Sequence, residues 1–217
     1  MTFQENGRVQ DEIDGMQYKT GLREVAKVHK GKFRLTANQH LIISDIEPSQ
    51  LETIKNVLQK YKLDNLNYTG LRLSSSACVA LPTCGLAMAE SERYLPMLVG
   101  KVEDIMEKNG LRNDMIVMRM SGCPNGCSRP WMGEIAFVGR APGTYLMLLG
   151  GASDGTRLAK PFKESVTEPE ILDILNPLIK NYALERLENE SFGDFVIRQG
   201  VIKATTHGLN FYDNSCL

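Results

Sequence analysis

Four of the five cysteines in this chain of 217 residues fall in two tight pairs, and no other feature constrains the fold as much. Cys78-Val79-Ala80-Leu81-Pro82-Thr83-Cys84 is a Cys-x5-Cys, and Cys123-Pro124-Asn125-Gly126-Cys127 is a Cys-x3-Cys. If all four thiols serve one centre, residues 85–122 must leave the first pair and return beside it. The start, Met1 to Gly7, has no basic head followed by an apolar stretch, so no secretory signal is expected. A reducing, cytoplasmic compartment is then the default. Paired cysteines there point to metal or redox chemistry before structural disulfides.

The spacings leave three readings open. Zinc sites favour Cys-x2-4-Cys pairs, which fits the second pair and not the first. A [4Fe–4S] cube has corners well separated in space, so two loops with unequal spacings suit it. The third reading is buried free thiols. Pro82 and Pro124 stiffen the loops and remove backbone donors. Gly85, Gly122 and Gly126 allow something bulky to approach, and the remaining N–H groups can point at sulfur. Cys216 has no neighbour at ligand spacing and reads as an incidental thiol.

Lys+Arg total 25 and Asp+Glu 26, a net charge of −1, which argues against a nucleic-acid binder. No apolar run approaches the roughly 20 residues of a membrane span. No Gly-x-Gly-x-x-Gly is present, so neither a dinucleotide nor a flavin site is expected. The sequons at Asn67 and Asn189 read as chance.

Residues 1–65 pattern as a small α/β unit. Leu22, Val25, Ala26 and His29 recur at helical spacing, and Gly31 ends that helix. Residues 32–36 alternate as a strand. A second strand at 40–44 is apolar enough for burial on both faces. Leu51, Ile54, Leu58 and Tyr61 form a helical stripe from Pro48 onward, and a short strand is expected near Phe3 or Val9. This order, helix–strand–strand–helix, is close to half of a ferredoxin-like sandwich. Residues 66–217 form the second domain. Residues 62–77 read as a polar connection, and 87–110 as a helix kinked at Pro96. Strands are expected at 115–119, 134–138 and 144–149, the last two joined by a turn at 139–143. A capping box at Thr167 and Glu170 opens a helix reaching about Glu190, kinked at Pro177. The fold class is therefore α+β.

Beyond this, the residues resemble a family. Cys78-x3-Pro82-Thr83-Cys84, followed by Ser121-Gly122-Cys123-Pro124-Asn125-Gly126-Cys127-Ser128-Arg129-Pro130, is similar to the cluster signature of assimilatory sulfite reductase haemoproteins. Lys19 to Leu22, Lys30-Gly31, Thr36 to Gln39, Met88 to Glu90 and Phe192 to Phe195 extend the resemblance over nearly the whole chain. Its wording is nearest the fungal β subunits, then the bacterial haemoprotein.

The resemblance implies a ferredoxin-like half-domain followed by a sirohaem/[4Fe–4S] domain. It implies that Cys78, Cys84, Cys123 and Cys127 hold the cluster. Cys127 would also be the proximal ligand of sirohaem, so that one thiolate serves two irons. Thr36, Asn38 and Gln39 become macrocycle contacts, although turn chemistry alone accounts for them. Arg119, Arg129 and Arg140 become candidate partners for the macrocycle's carboxylates. The implied reaction is the six-electron reduction of sulfite to sulfide in sulfate assimilation, with electrons from a separate flavoprotein. Sirohaem nitrite reductase and a haem-free [4Fe–4S] carrier are the alternatives. The match is to the C-terminal half only, so a missing N-terminal half is expected to complete the site and the chain alone to be inactive. His29 and the run Met115, Met118, Met120 are expected to be packing residues.

Overall fold

A computed structural model gives the fold and describes residues 5–13 and 15–213. Phe3 and Cys216 lie outside the described residues. The chain divides into two compact units, Met1–Tyr68 and Thr69–Leu217.

The first unit opens with a short hairpin, β1 (Asp11–Ile13) and β2 (Met16–Gln17). Val9 is in neither strand. Helix α1 (Tyr18–Val28) follows, with Tyr18, Gly21 and Val25 on its buried face. The Asp11 carboxylate accepts from the Thr20 N–H at 2.9 Å and the Thr20 hydroxyl at 2.8 Å, which satisfies a free donor of the first helical turn. Antiparallel strands β3 (Lys32–Leu35) and β4 (Leu41–Ser44) come next, and α2 (Leu51–Lys60) closes the unit around Ile54. The expected helix–strand–strand–helix order is present. Burial of 40–44 on both faces is not: β4 has one partner strand, and Ile42 is exposed. His29 is buried edge-on to Phe33, with ring centroids 5.2 Å apart.

The second unit is built on a five-stranded sheet in the order β5 (Ser76–Ala77), β6 (Met118–Ser121), β7 (Ile135–Ala141), β8 (Thr144–Leu149), β9 (Lys160–Val166). The first three strands are parallel and the last three antiparallel. Period-two alternation divides β7: Ile135 and Phe137 face a large core, Ala136 and Val138 a smaller cluster. The large core is covered by α4 (Leu95–Lys108), α5 (Glu168–Glu185) and α6 (Phe192–Arg198). The smaller cluster is capped by Trp131 and Phe211.

Several boundaries differ from the sequence reading. The connection at 62–77 contains a short helix, α3 (Gly70–Ser74), and strand β5. Residues 87–94 are not helical. The helix starts at Leu95 with Pro96 in its first turn, where a missing N–H costs nothing, so no kink is required. Met118 and Met120 are core residues, but Met115 is 65% exposed because the strand begins after it. Helix α5 continues through Pro177 and stops at Glu185, short of Glu190. The buried Glu134 carboxylate ties this unit together: Oε2 accepts from Val117 N–H and Oε1 from Gly193 N–H.

Candidate metal centre

Parallel pairing explains how two distant cysteine loops meet. Strand β5 runs directly into Cys78, and β6 runs through Ser121 and Gly122 into Cys123. Ala77 is the register partner of Met120, so both loops leave the same end of adjacent parallel strands. Sites in α/β sheets gather beyond the carboxyl ends of such strands.

Backbone hydrogen bonds then lace the loops together. Cys78 N–H donates to the Met120 carbonyl at 3.1 Å, and the Gly122 N–H donates to the Cys78 sulfur at 3.2 Å. The Gly122 carbonyl accepts from Met88 N–H at 2.8 Å and Ala89 N–H at 3.1 Å. Within the first loop Cys84 N–H donates to Ala80 O at 2.7 Å. Gly122 is required by this approach: a Cβ there would lie 2.5 Å from the Ala80 Cβ and 2.7 Å from the Ala89 carbonyl. Gly126 is required twice over. Its φ is +66°, and a Cβ would meet the Trp131 ring at 2.2 Å.

Cys123 is buried, Cys78 and Cys84 are half-buried, and Cys127 is exposed. The four cysteines sit on two loops that leave the same end of β5 and β6, and four thiol donors of this kind are a set suited to iron–sulfur centres. Among the described residues, no three His, Cys, Asp or Glu side chains group as a single ion would require. The unequal Cys-x5-Cys and Cys-x3-Cys spacings of the two loops suit a cube with separated corners.

Behind Cys127 lies a buried polar network that sequence reasoning missed, apart from Arg119 itself. Ser128 donates its hydroxyl to the Met120 carbonyl at 2.6 Å, and Ser121 shares a 2.6 Å hydrogen bond with the Ser128 hydroxyl. Ser91 donates to the same Met120 carbonyl at 2.6 Å. Arg119 Nη1 donates to Ser76 Oγ and to the Ser128 carbonyl, each at 3.1 Å. Burial, then the neighbouring Arg129, brings the Arg119 guanidinium down to about 10, so it stays charged at neutral pH. Serines flanking both cysteines of the second pair were the available signal. Arg129 is half-buried with φ +56°, and Arg140 is exposed.

Beside the second loop is a cavity of about 150 Å³, lined by Pro124, Trp131, Arg140, Glu164, Phe211 and Tyr212, among others. It is smaller than the roughly 300–1,000 Å³ of a typical ligand pocket, so it cannot enclose a macrocycle. Thr36, Asn38 and Gln39 lie in the other unit, at the β3–β4 turn. There Thr36 Oγ1 accepts from Asn38 N–H at 3.3 Å and His40 N–H at 3.0 Å, and Gln39 takes a positive φ of 66°. The four cysteines thus lie in one unit, and these three residues form a turn in the other.

Comparisons with known proteins point to one family. Residues 3–61 match the nitrite/sulfite reductase ferredoxin-like half domain. The chain is 57% identical over 216 residues to the sulfite reductase (NADPH) subunit beta of Saccharomyces cerevisiae, across 98% of this chain and 15% of that one. It is 56% identical over 212 residues to the sulfite reductase (NADPH) hemoprotein beta-component of Bacillus subtilis, across 97% of this chain and 37% of that one. The chain belongs to the nitrite/sulfite reductase family. It spans about a third of the bacterial relative's length and less of the fungal one's. A solved structure, the NirA protein of Mycobacterium tuberculosis, shares the fold with a TM-score of 0.66 at 24% identity, over 82% of this chain and 35% of that one. Among the described residues, no helix is long and apolar enough to cross a membrane.

Proposed function

We propose that this chain is the cluster-bearing part of a sulfite-reducing haemoprotein, with residues 1–65 as a ferredoxin-like half-domain and 66–217 as the cofactor domain. The observation that carries the reading is the lacing of the two cysteine loops at the ends of β5 and β6, with the Gly122 N–H on the Cys78 sulfur. Sulfite is favoured over nitrite because the relatives at 56–57% identity are named sulfite reductases.

Cys78, Cys84, Cys123 and Cys127 would hold a [4Fe–4S] cluster. Bound there, the cluster and a sirohaem would relay electrons singly from the donor, and sulfite would take up six of them with protons to give sulfide and water. This chain's residues do the holding. Thiolate is anionic and soft, and Cys127, the exposed member of the set, would also serve as the ligand of the sirohaem iron. The Gly122 N–H donated to the Cys78 sulfur offsets negative charge there and favours the reduced centre. The Trp131 ring against Gly126 fixes the backbone that presents Cys127. Arg129 and Arg140 would serve as cations for carboxylates of the macrocycle. Cations for the sulfite oxygens are assigned to the part of the haemoprotein outside this match. A flavoprotein supplies the electrons.

Absorption spectra of the anaerobically purified chain, alone and with the N-terminal part of a bacterial relative, test the reading. Alone, the chain is expected to show a broad cluster shoulder and to make no sulfide from sulfite with reduced viologen. With the added part, Soret and red sirohaem bands and sulfide production should appear. Absence of the cluster shoulder in both samples would overturn the proposal.

A further inference from the structure

We infer that Arg119 is a positioning residue of the cysteine site, clamping the two loops together and setting the reduction potential of the centre they hold. This rests on the cluster reading above.

The geometry is that of a clasp. Arg119 sits on β6, almost fully buried. One nitrogen of its guanidinium reaches Ser76 Oγ and the Ser128 carbonyl, each at 3.1 Å. Ser76 stands two residues before Cys78, the first cysteine of the set. Ser128 directly follows Cys127, the last. A single planar donor group therefore ties together the segment entering the first loop and the segment leaving the second. Ser128 is held from its other side by its hydroxyl on Met120, whose carbonyl also accepts from Cys78 N–H. Both bonds leave Nη1 through its two coplanar N–H groups, and the shorter lysine side chain with its tetrahedral ammonium does not reproduce that reach and angle.

The second effect is electrostatic. The guanidinium is held in a low-dielectric interior, bonded to Ser76, two residues before Cys78, and to Ser128, the residue after Cys127. A buried positive charge interacts far more strongly with a neighbouring charge than an exposed one does. One-electron reduction adds negative charge to an iron–sulfur centre, and the cation favours that state. Charge near the cluster is among the properties that set such potentials.

The two effects separate in two variants. The 217-residue chain is reconstituted anaerobically with ferrous iron and sulfide, as wild type, Arg119→Met and Arg119→Lys. Midpoint potential, iron release to a chelator, and thermal unfolding are measured. Arg119→Met should make one-electron reduction at least tenfold less favourable, a shift of about 59 mV to more negative potential. Arg119→Lys should restore the potential to within threefold of wild type in the same equilibrium. It should still release iron at least fivefold faster, because the charge survives and the clasp does not. If Arg119→Met holds no cluster, Arg119→Lys decides alone on the same two criteria. A potential unmoved in Arg119→Met, or a lysine variant that matches wild type in iron release or fails to restore the potential, overturns the inference. Wild-type chain that takes up no iron and sulfide overturns the cluster reading instead.

Discussion

Gly126 carries more of the site than any residue without a functional group. Its positive φ of 66° and the 2.2 Å that would separate a Cβ from the Trp131 ring are independent penalties. Gly126→Ala is expected to lose about 1–3 kcal/mol of stability, and most of the bound iron after reconstitution. Adding Trp131→Ala relieves the steric part and leaves the backbone part, about 1–2 kcal/mol. The double variant should therefore recover some iron but not wild-type stability, as read by iron content and urea unfolding. Equal iron in wild type and Gly126→Ala would mean that the loop is not held as described. The cysteines themselves were legible from spacing and neighbouring Pro and Gly. The Arg119–Ser76 contact was not, because it joins residues 43 positions apart and depends on parallel pairing that no local pattern announces.

At the scale of elements, strong periodicity was readable and contact-driven structure was not. The stripe Leu51, Ile54, Leu58 marks α2, and the Pro-Gly turn marks the β7–β8 hairpin. Residues 87–94 look helical by composition, yet Met88 and Ala89 give their N–H groups to the Gly122 carbonyl, so loop contact overrides propensity. Strand β5 has two residues, too few for any period. Strand β9 interleaves Lys160, Lys163 and Glu164 with apolar positions, which hides its alternation. Helix α6 has seven residues, and its signal was the Ser191 cap that accepts from Asp194 N–H.

The capping box of α5 was legible, and it makes a pH prediction. Glu170 accepts from the Thr167 N–H at 2.8 Å, then from Lys163 and the Thr167 hydroxyl, and these hold its carboxyl down at about 2. A lowered folded-state value means that the unfolded chain binds protons first as pH falls. The cap's contribution is therefore present above the ordinary carboxylate value of 4.5 and is lost as pH falls toward about 2. Glu170→Gln should unfold at lower urea than wild type at pH 7. That difference should shrink across this window and vanish below it. A difference independent of pH would place the effect in packing.

At the scale of the whole molecule, the proposed function puts one inorganic centre in one unit. All four candidate cysteines belong to Thr69–Leu217, with Cys78 and Cys123 leaving the same end of one sheet. Cys127→Ser is expected to damage both the cluster and, when the rest of the haemoprotein is supplied, sirohaem binding, because under the proposed function its thiolate would serve two irons. Cys78→Ser should weaken chiefly the cluster. Cys216→Ser should change neither iron content nor spectrum, and iron loss there would mean a misassigned ligand set.

The most direct test is iron and acid-labile sulfide per chain after anaerobic reconstitution, in wild type and in the four single Cys→Ser variants at 78, 84, 123 and 127. The account predicts about four iron and four sulfide per wild-type chain, as a [4Fe–4S] cluster requires, and a clear loss of both in every variant. Metal without sulfide, or full retention of both in all four variants, would contradict it.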